Sequence, residues 1–388
     1  MSYKNFLNFL ATNGYTNQVN EGLYAYLVSQ GKSGQLNEML FNYLTDLGYT
    51  QSTLQEKVSA WRDAGFLVSL ETDFIMTVET TGASETFTMP AGSGTYDATI
   101  DWGDGNQSAI TSNTDPELVH TYVTPGVHTI RISGTFSNIL FNNGGDRLKV
   151  RTVENLGFIG HTSGTSNFYG CANMTSFTAG NTELKDGFST NLSNYLRECS
   201  SLTTLNLDGW SGLAPVALTS AFFNVSSLTS LDLSGLNTSS VNNMSNAFRG
   251  MTNLSSLSLP ADFVQVACTN TSNMFFSASA LASVDVSGWD TSAVTNMAAM
   301  FRDMGTADVN IQYLDLSSCN NMGSFATSTT FPTANYDAAL IAWDAVDVPN
   351  SLAPNFGSTK YTLGGAAAAA RAGLVSNDLW TITDGGGV

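Results

Sequence analysis

The chain has 388 residues, a formal net charge of −18 and a sequence pI of about 4.2, although only 12% of its residues are charged. A chain of this length is expected to fold as two or more units. Its negative charge repels phosphate, which argues against nucleic acid and anionic membrane surfaces as partners. The abundant Ser, Thr, Asn and Gly favour contacts with carbohydrate or protein instead.

A short repeat opens the chain, marked by evenly spaced glycines at Gly14, Gly31, Gly48 and Gly65. In its second unit, apolar residues follow the spacing of one helical face, at Leu36, Met39, Leu40, Tyr43 and Leu44. This pattern predicts a small helical bundle over residues 1–68. Its large apolar stripe suggests an attachment module that docks on a partner.

The first residues, MSYKNFLNFLATNGY, lack the basic start and long apolar stretch of a secretory signal. No apolar run reaches the roughly 18 residues of a membrane span. We therefore expect a protein made in the cytoplasm, without a signal peptide and without a membrane as partner.

Short strand patterns separated by Gly, Pro and Asp follow at residues 71–136. Alternating apolar residues, such as Ala98, Ile100 and Trp102, indicate a β-sandwich. The segment DWGDG followed by HTY and PGVHTI resembles the PKD (polycystic kidney disease) domain, an immunoglobulin-like sandwich. That resemblance implies an adhesive or spacer module. Asp101 and Asp104 suggest either a metal site or a hydrogen-bonded turn, and a turn needs no ion.

A phrase then returns through residues 137–330, as LTTLNLDGW, LTSLDLSGL, LSSLSLPAD, LASVDVSGW and IQYLDLSSC. Such regular recurrence indicates a solenoid. In each phrase two apolar residues stand two apart, as Leu231 and Leu233 do, and are expected to point inward from a short strand. The four residues before Ile311 are predicted to form a loop. The phrases begin at Leu202, Leu228, Leu254, Leu281 and Ile311.

Between the phrases lie segments with the apolar spacing of a helix. TSSVNNMSNAFRGM places Val241, Met244 and Phe248 on one face, after Ser or Thr residues that could cap a helix. Each unit is therefore predicted to contain a strand and a helix. SGWDTSAVTNMAAMFRDM, from 287 to 304, closely resembles the BspA-like leucine-rich repeat family of bacterial surface proteins and some phage proteins. The resemblance implies a leucine-rich-repeat α/β solenoid.

Residues 331–388 are predicted to cap the solenoid with helices in YDAALIAWDAV and GGAAAAARAGLVS and a final strand in LWTITDGGGV. The four cysteines fit no zinc pattern and are interpreted as small buried thiols. We predict no metal site and no cofactor.

A catalytic site does not emerge from the sequence. The three histidines, the carboxylates and the Ser and Cys residues show no nucleophile, base or phosphate-binding arrangement, so we predict that the protein is not an enzyme. The outward positions of the strand phrases predict a polar recognition face instead, although a solvated strand would also be polar. These positions are Thr204, Asn206, Ser230, Asp232, Ser256, Ser258, Ser283, Asp285, Tyr313 and Asp315.

A second set of equivalent positions holds Arg197, Arg249 and Arg302, which we expect to neutralise neighbouring carboxylates. The 17-residue repeats resemble short N-terminal modules of marine phage structural proteins. With no secretory signal and an adhesive sandwich and solenoid, this resemblance implies a phage virion surface protein of the tail-fibre or head-fibre type. It would attach to other virion proteins through residues 1–68 and bind a host surface glycan or protein, and it could form a homo-oligomer. The alternatives are a bacterial cell-surface adhesin or a glycan-degrading tailspike.

Overall fold

The computed structural model describes residues 73–157, 159–161, 164–179, 191–207, 210 and 213–388. The helical bundle and attachment module predicted for residues 1–68 lie outside the described residues. No helix in the described part of the chain is long and apolar enough to span a membrane.

The first described residues form antiparallel strands, as their alternating pattern predicts. The strands are β1 (Phe74–Thr80), β2 (Glu85–Thr88), β3 (Tyr96–Asp101), β4 (Gln107–Ile110), β5 (Val119–Tyr122) and β6 (Gly126–Phe136). In one sheet, β6 pairs with both β1 and β3, and β3 pairs with the edge strand β4. β2 and β5 form a separate antiparallel pair.

The β2–β5 pair packs against the larger sheet through aromatic residues. Trp102, at the end of β3, and Tyr122, at the end of β5, are both fully buried. The Tyr122 hydroxyl donates a hydrogen bond to the Trp102 carbonyl at 2.9 Å. Two antiparallel sheets therefore share one core, while the resemblance of this region to the PKD family remains a prediction.

The same larger sheet continues into the solenoid. β7 (Val150–Asn155) pairs with β1 in antiparallel register, and β8 (Ser176–Thr178) and β9 (Thr204–Asn206) follow in parallel. The strand order is β4-β3-β6-β1-β7-β8-β9. Backbone hydrogen bonding is thus continuous from the antiparallel strands into the first coils.

The next strand phrases also stack in parallel. β10 (Ser230–Asp232) pairs with β11 (Ser256–Ser258), and Leu231 lies opposite Leu257. Both leucines pack into or against the core, as their inward positions predict. The repeated phrase therefore indicates a β-solenoid.

The helices predicted between the strand phrases are wrong. In the described residues from 213 to 332 the structure contains turns between its short strands and no α-helix. The core positions are nevertheless right, because Val241, Met244 and Phe248 are fully buried. Tight turns repeated every four residues reproduce the apolar spacing of a helix, so the pattern alone does not separate the two.

Backbone conformation explains why a helix does not form. Each coil has two residues with positive φ, four positions apart, such as Asn246 (57°) and Gly250 (74°). Successive N–H groups then alternate between two partners. Met244 and Phe248 donate to carbonyls of the next coil, whereas Ala247 donates within its own turn to the Met244 carbonyl. A helix, in contrast, keeps these bonds within one segment.

The coil interior contains a stack of phenylalanines. Phe222, Phe248, Phe275 and Phe301 are at most 1% exposed, and successive ring centroids lie 5.9, 5.4 and 5.7 Å apart with nearly parallel planes. Neighbouring coils therefore share one apolar core, and burying a ring of this size stabilises the stack by roughly 1.5–3 kcal/mol.

The last strand phrase is displaced from its predicted register. β12 (Ser283–Val284) pairs with β14 (Asp308–Val309), and β13 (Gly305–Thr306) pairs with β15 (Thr329–Thr330). Two of the four residues expected to form a loop before Ile311, Asp308 and Val309, are therefore paired, whereas Ile311–Tyr313 form a 3-10 turn. The extra residues of this repeat move the pairing upstream in the chain.

The cap contains the two predicted helices, α1 (Thr333–Asp344) and α2 (Ala366–Ser376), which pack together. The final segment forms isolated parallel bridges at Thr383 and Gly387 rather than a continuous strand. Tyr336 and Trp343 of α1 bury their rings against Phe356, so the cap closes the apolar end of the stack.

Candidate functional site

The predicted recognition face is at the surface. All ten of its residues are exposed, including Tyr313, whose exposed fraction is 49%. Pairing of β10 with β11 brings Ser230 beside Ser256 and Asp232 beside Ser258. At this pair of coils the face therefore has two parallel rows of side chains, and the other residues of the face occupy the equivalent positions of their own strand phrases.

The first row, here called the outer row, consists of Thr204, Ser230, Ser256 and Ser283. Their hydroxyl groups make no hydrogen bond to any described residue. A hydroxyl both donates and accepts, so this row presents unoccupied donors and acceptors at the spacing of the coils. Strand pairing sets the spacing between Ser230 and Ser256 at about 4.8 Å, whereas Thr204 and Ser283 lie at the equivalent position of the strand phrases before and after that pair.

The second row, here called the turn row, consists of Asn206, Asp232, Ser258, Asp285 and Asp315. Its three carboxylates accept hydrogen bonds from backbone N–H groups two residues later, which are those of Ser234, Ser287 and Ser317 at 2.8–2.9 Å. These bonds close local turns at the ends of the strand phrases.

Hydrogen bonds to the ionised form lower the pKa of two of these carboxyls. Hydrogen bonds from the side chain and backbone of Ser234 lower the pKa of Asp232, and those from the backbone and side chain of Ser287 lower the pKa of Asp285. The carboxylates of the turn row thus have a structural use, which the sequence pattern did not reveal.

The predicted rows are not continuous at their far end. Ser283 lies opposite Asp308 in the register of β12 and β14, so Tyr313 does not extend the outer row by strand pairing. Asp315 keeps the turn geometry of the other aspartates despite this displacement. Four outer-row residues and Tyr313 therefore remain candidates for contact with a ligand.

An asparagine ladder runs along another side of the coils. Parallel bridges link Asn243 to Asn270, Asn270 to Asn296 and Asn296 to Asn321. Each Asn Oδ1 accepts the backbone N–H two residues later, as Asn243 does from Ser245 at 2.9 Å. The recurrence of N-M at Asn243, Asn296 and Asn321 was the sequence signal for this ladder, and Asn270 is followed by Thr instead.

The three equivalent arginines stack on aromatic rings. Each coil contributes one residue to this stack, and aromatic residues alternate with arginines along it. The order is Tyr169, Arg197, Phe223, Arg249, Phe276 and Arg302. The guanidinium carbons lie 4.3–5.4 Å from the ring centroids. We call this the arginine–aromatic ladder.

The expected neutralisation of carboxylates describes only part of the ladder. Arg197 lies 3.5 Å from Glu198, and Arg302 lies 3.3 Å from Asp303. Arg249 makes no ion pair with a described residue. Burial, with repulsion from Arg302 and Arg197, lowers its pKa. The alternation was visible in the sequence, but only the coil register shows that the side chains touch.

The two aspartates of the DWGDG motif cap a turn. Asp101 accepts the Gly103 N–H at 2.9 Å, and Asp104 accepts the Asn106 N–H at 3.1 Å. The other oxygen of Asp104 lies 2.8 Å from His120 Nε2, and the His120 ring stacks on Trp102. This motif therefore fixes one end of the antiparallel core.

The cysteines are also part of the core rather than of an exposed site. All four cysteines are buried thiols, as their sequence context predicts, and burial raises the pKa values of these thiols. Within the described ranges, no group of three or more His, Cys, Asp and Glu residues is arranged to hold a metal ion.

These features define a repeat protein, a β-solenoid held together by stacked strands, an asparagine ladder and a phenylalanine core. Residues 190–258 and 216–339 match the family described as "Mycoplasma protein of unknown function, DUF285". The match covers the coils of the asparagine ladder and less than half of the chain, so the chain is similar to that family over its solenoid. No curated protein and no solved structure matches the chain.

Proposed function

We propose that this chain is a non-enzymatic adhesion protein displayed on the surface of a phage virion, as a fibre or decoration of the tail or head. Its solenoid would bind a host surface glycan or protein. The observation that carries the proposal is the outer row, in which hydroxyl groups without a hydrogen bond to any described residue recur from one strand phrase to the next on a packed scaffold.

Hydroxyl groups in such a row suit a ligand that is itself repetitive. A glycan presents hydroxyl donors and acceptors along its length, and each hydrogen bond to the outer row would contribute about 0.5–1.5 kcal/mol. Several modest contacts then add up to useful affinity, whereas any single one is dispensable. The rigid scaffold reduces the ordering cost of binding.

The outer row can be tested without disturbing the turns. We expect simultaneous change of Thr204, Ser230, Ser256 and Ser283 to alanine to weaken adsorption of the purified protein to host cells by about tenfold or more, which is about 1.4 kcal/mol. The thermal transition should remain. The turn row is unsuitable for this test, because its carboxylates hold backbone N–H groups.

A matched control changes four other exposed hydroxyl residues to alanine, namely Ser239, Ser240, Thr252 and Ser279. Adsorption by this control should stay within about twofold of wild type, a change of about 0.4 kcal/mol. If the outer-row variant folds and adsorbs like the control, the row is merely solvated. Release of reducing sugar from host polysaccharide would instead favour a glycan-degrading tailspike.

The virion setting rests on the resemblances of the repeats and needs its own test. Mass spectrometry of purified virions should detect the chain, and antibody labelling should place it on the head or tail. A chain lacking residues 1–68 should keep its thermal transition but be absent from particles. Normal incorporation of the shortened chain would contradict the attachment role proposed for those residues.

A bacterial cell-surface adhesin is the second candidate. The family match favours it, because the matched family is named for the bacterial genus Mycoplasma. The same antibody distinguishes the two settings: labelling of uninfected cells supports the bacterial adhesin, and labelling confined to particles supports the virion protein.

A further inference from the structure

An open cleft of about 300 Å³ lies where the loop before β7 meets the first coils of the solenoid. Its apolar lining is given by Leu148 and Ala172. The polar lining is given by Asn143, Arg147, Glu198, Ser200 and Asn224, with Gly170 between them. The cleft is distinct from the outer row, which lies on the strands.

The side chain of Arg147 has no hydrogen-bond or ion-pair partner in the described part of the chain, although its backbone carbonyl accepts the Val150 N–H. Its Nε atom is buried and unpaired, and its guanidinium makes neither an ion pair nor a hydrogen bond with a described residue. The neighbouring basic residues, in contrast, form ion pairs: Arg151 Nε lies 2.6 Å from Glu79 Oε2, and Lys149 Nζ lies 2.8 Å from Asp146 Oδ1.

An unsatisfied buried donor is costly and rare in native proteins. In a chain with a net charge of −18, carboxylates are plentiful, yet none among the described residues pairs with this arginine. A guanidinium held at the edge of a cleft without an anion is suited to accept one from a ligand, because its N–H groups match the geometry of a carboxylate.

Gly170 keeps the arginine in this position. It has a φ of +84°, and a Cβ atom there would clash with Asn143 Oδ1 and lie 2.9 Å from Arg147 Nε. The corresponding residues of the next two coils, Glu198 and Asn224, carry side chains that line the cleft. Because Gly170 has no side chain, Arg147 fits beside it and the adjacent cleft stays open.

The remaining polar groups restrict the kind of anion. Glu198 places a second, negative charge at the cleft, which disfavours a phosphate dianion more than a monoanion. Its oxygens accept hydrogen bonds from hydroxyl groups, and the Asn143, Ser200 and Asn224 side chains both donate and accept. The complementary ligand carries one carboxylate and several hydroxyls.

We propose that this cleft binds a carboxylate-bearing sugar residue of a surface glycan, such as a uronic or sialic acid. The carboxylate would pair with Arg147, and the sugar hydroxyls would contact Glu198, Ser200 and the asparagines. This inference rests on the proposed adhesive function, since it names the glycan chemistry that an adhesion protein of this kind would recognise.

Isothermal titration and ligand-observed NMR of the full chain with glucuronic acid and N-acetylneuraminic acid test the proposal. Binding of at least one acid is expected, with N-acetylglucosamine as the neutral comparison. Arg147→Gln should weaken that binding by about tenfold or more, because it removes the charge-assisted hydrogen bonds to the carboxylate. Lys360→Gln removes the same charge at an exposed site outside the cleft and should leave binding unchanged.

The binding measurements decide whether the cleft proposal holds. Equal binding by wild type and Arg147→Gln, no binding of either acid, or equal binding of the neutral sugar would overturn the cleft proposal. Tighter binding of inorganic phosphate than of the sugar acids would also overturn it. Adsorption of wild-type protein to host cells, measured in parallel, separates the two proposals: adsorption without sugar-acid binding removes only the cleft.

Discussion

The guanidinium carbon of Arg249 lies 4.3 Å from the centroid of the Phe276 ring, and on the neighbouring coil the Phe223 ring lies 5.4 Å away. Arg249 is thus held between two aromatic rings that belong to the coils before and after its own. Because the face of an aromatic ring attracts a cation, alternation of Arg with Phe or Tyr ties successive coils together.

We expect Arg249→Gln to lower the free energy of unfolding by about 1–2 kcal/mol, since it removes cation–π contacts with two rings. Urea denaturation would measure the change. Lys360→Gln is the charge-matched control and should lie within about 0.5 kcal/mol of wild type. Equal midpoints for the two variants would mean that the arginine–aromatic ladder contributes nothing to the stacking.

The asparagine ladder offers a comparison between adjacent residues. Asn243→Ala should destabilise the solenoid by about 1–2 kcal/mol, because its Oδ1 holds the Ser245 N–H at 2.9 Å inside a turn. Asn242 is exposed and bonds to described residues only through its own backbone N–H and carbonyl, so Asn242→Ala should change stability by less than about 0.5 kcal/mol. Comparable losses would show that the asparagine side chain is not what stabilises the turn.

The register of the strand phrases is tested at β10. Leu231 is 3% exposed and faces Leu257 of the next coil, so Leu231→Asp would bury a charge without a partner. The expected cost is several kcal/mol, enough to remove the thermal transition of the repeats. Ser230→Ala changes the exposed neighbour and should preserve that transition. An unaltered melting curve for Leu231→Asp would refute the register.

A buried histidine predicts a dependence of stability on pH. Burial lowers the pKa of His161 to about 4 from its ordinary 6.5, and its Nε2 lies 3.1 Å from the Leu156 carbonyl, so this nitrogen donates the hydrogen bond. Between those two pH values the unfolded chain binds a proton that the folded chain excludes. The free energy of unfolding therefore falls as pH decreases from about 6.5 to about 4, by up to about 1.4 kcal/mol per pH unit.

His161→Gln keeps an N–H donor and removes this titration, so its unfolding free energy should change less steeply over that interval. Urea denaturation at a series of pH values measures the difference. If the unfolding free energies of wild type and His161→Gln change in parallel from pH 6.5 to 4, the role of His161 is contradicted.

Glu85 acts at lower pH. Hydrogen bonds from the backbone N–H groups of Gly82 and Thr81, with Lys149, lower the pKa of Glu85 to about 2. Its contribution to the free energy of unfolding is therefore lost only between about pH 4.5 and 2.

Much of the architecture follows from the sequence alone. The regular recurrence of the strand phrase predicts a solenoid, and the spacing of residues such as Val241, Met244 and Phe248 identifies the core. The antiparallel strands between β1 and β6 follow from alternation of apolar residues, because alternate side chains of a strand point to opposite faces. Periodicity reports which side of the backbone is buried.

Periodicity does not report how the backbone bonds are made, and here the tertiary structure decided the outcome. The residues that favour positive φ, such as Asn246 and Gly250, turn a predicted helix into turns whose N–H groups reach the next coil. That choice depends on a partner one full coil further along the chain, as Asn270 is for Met244, and no local pattern contains it.

On the surface, too, the sequence predicts which residues are exposed, and the tertiary structure decides which of them are already hydrogen-bonded. The sequence predicted that Ser230 and Asp232 face outward, but only the folded chain shows that the Ser230 hydroxyl bonds to no described residue whereas the Asp232 carboxylate accepts the Ser234 N–H. It likewise took the fold to bring Arg147 beside Glu198, which is distant in the chain, at one cleft. Local spacing determines which residues face solvent, and the stacking of distant coils determines which of them are left to bind.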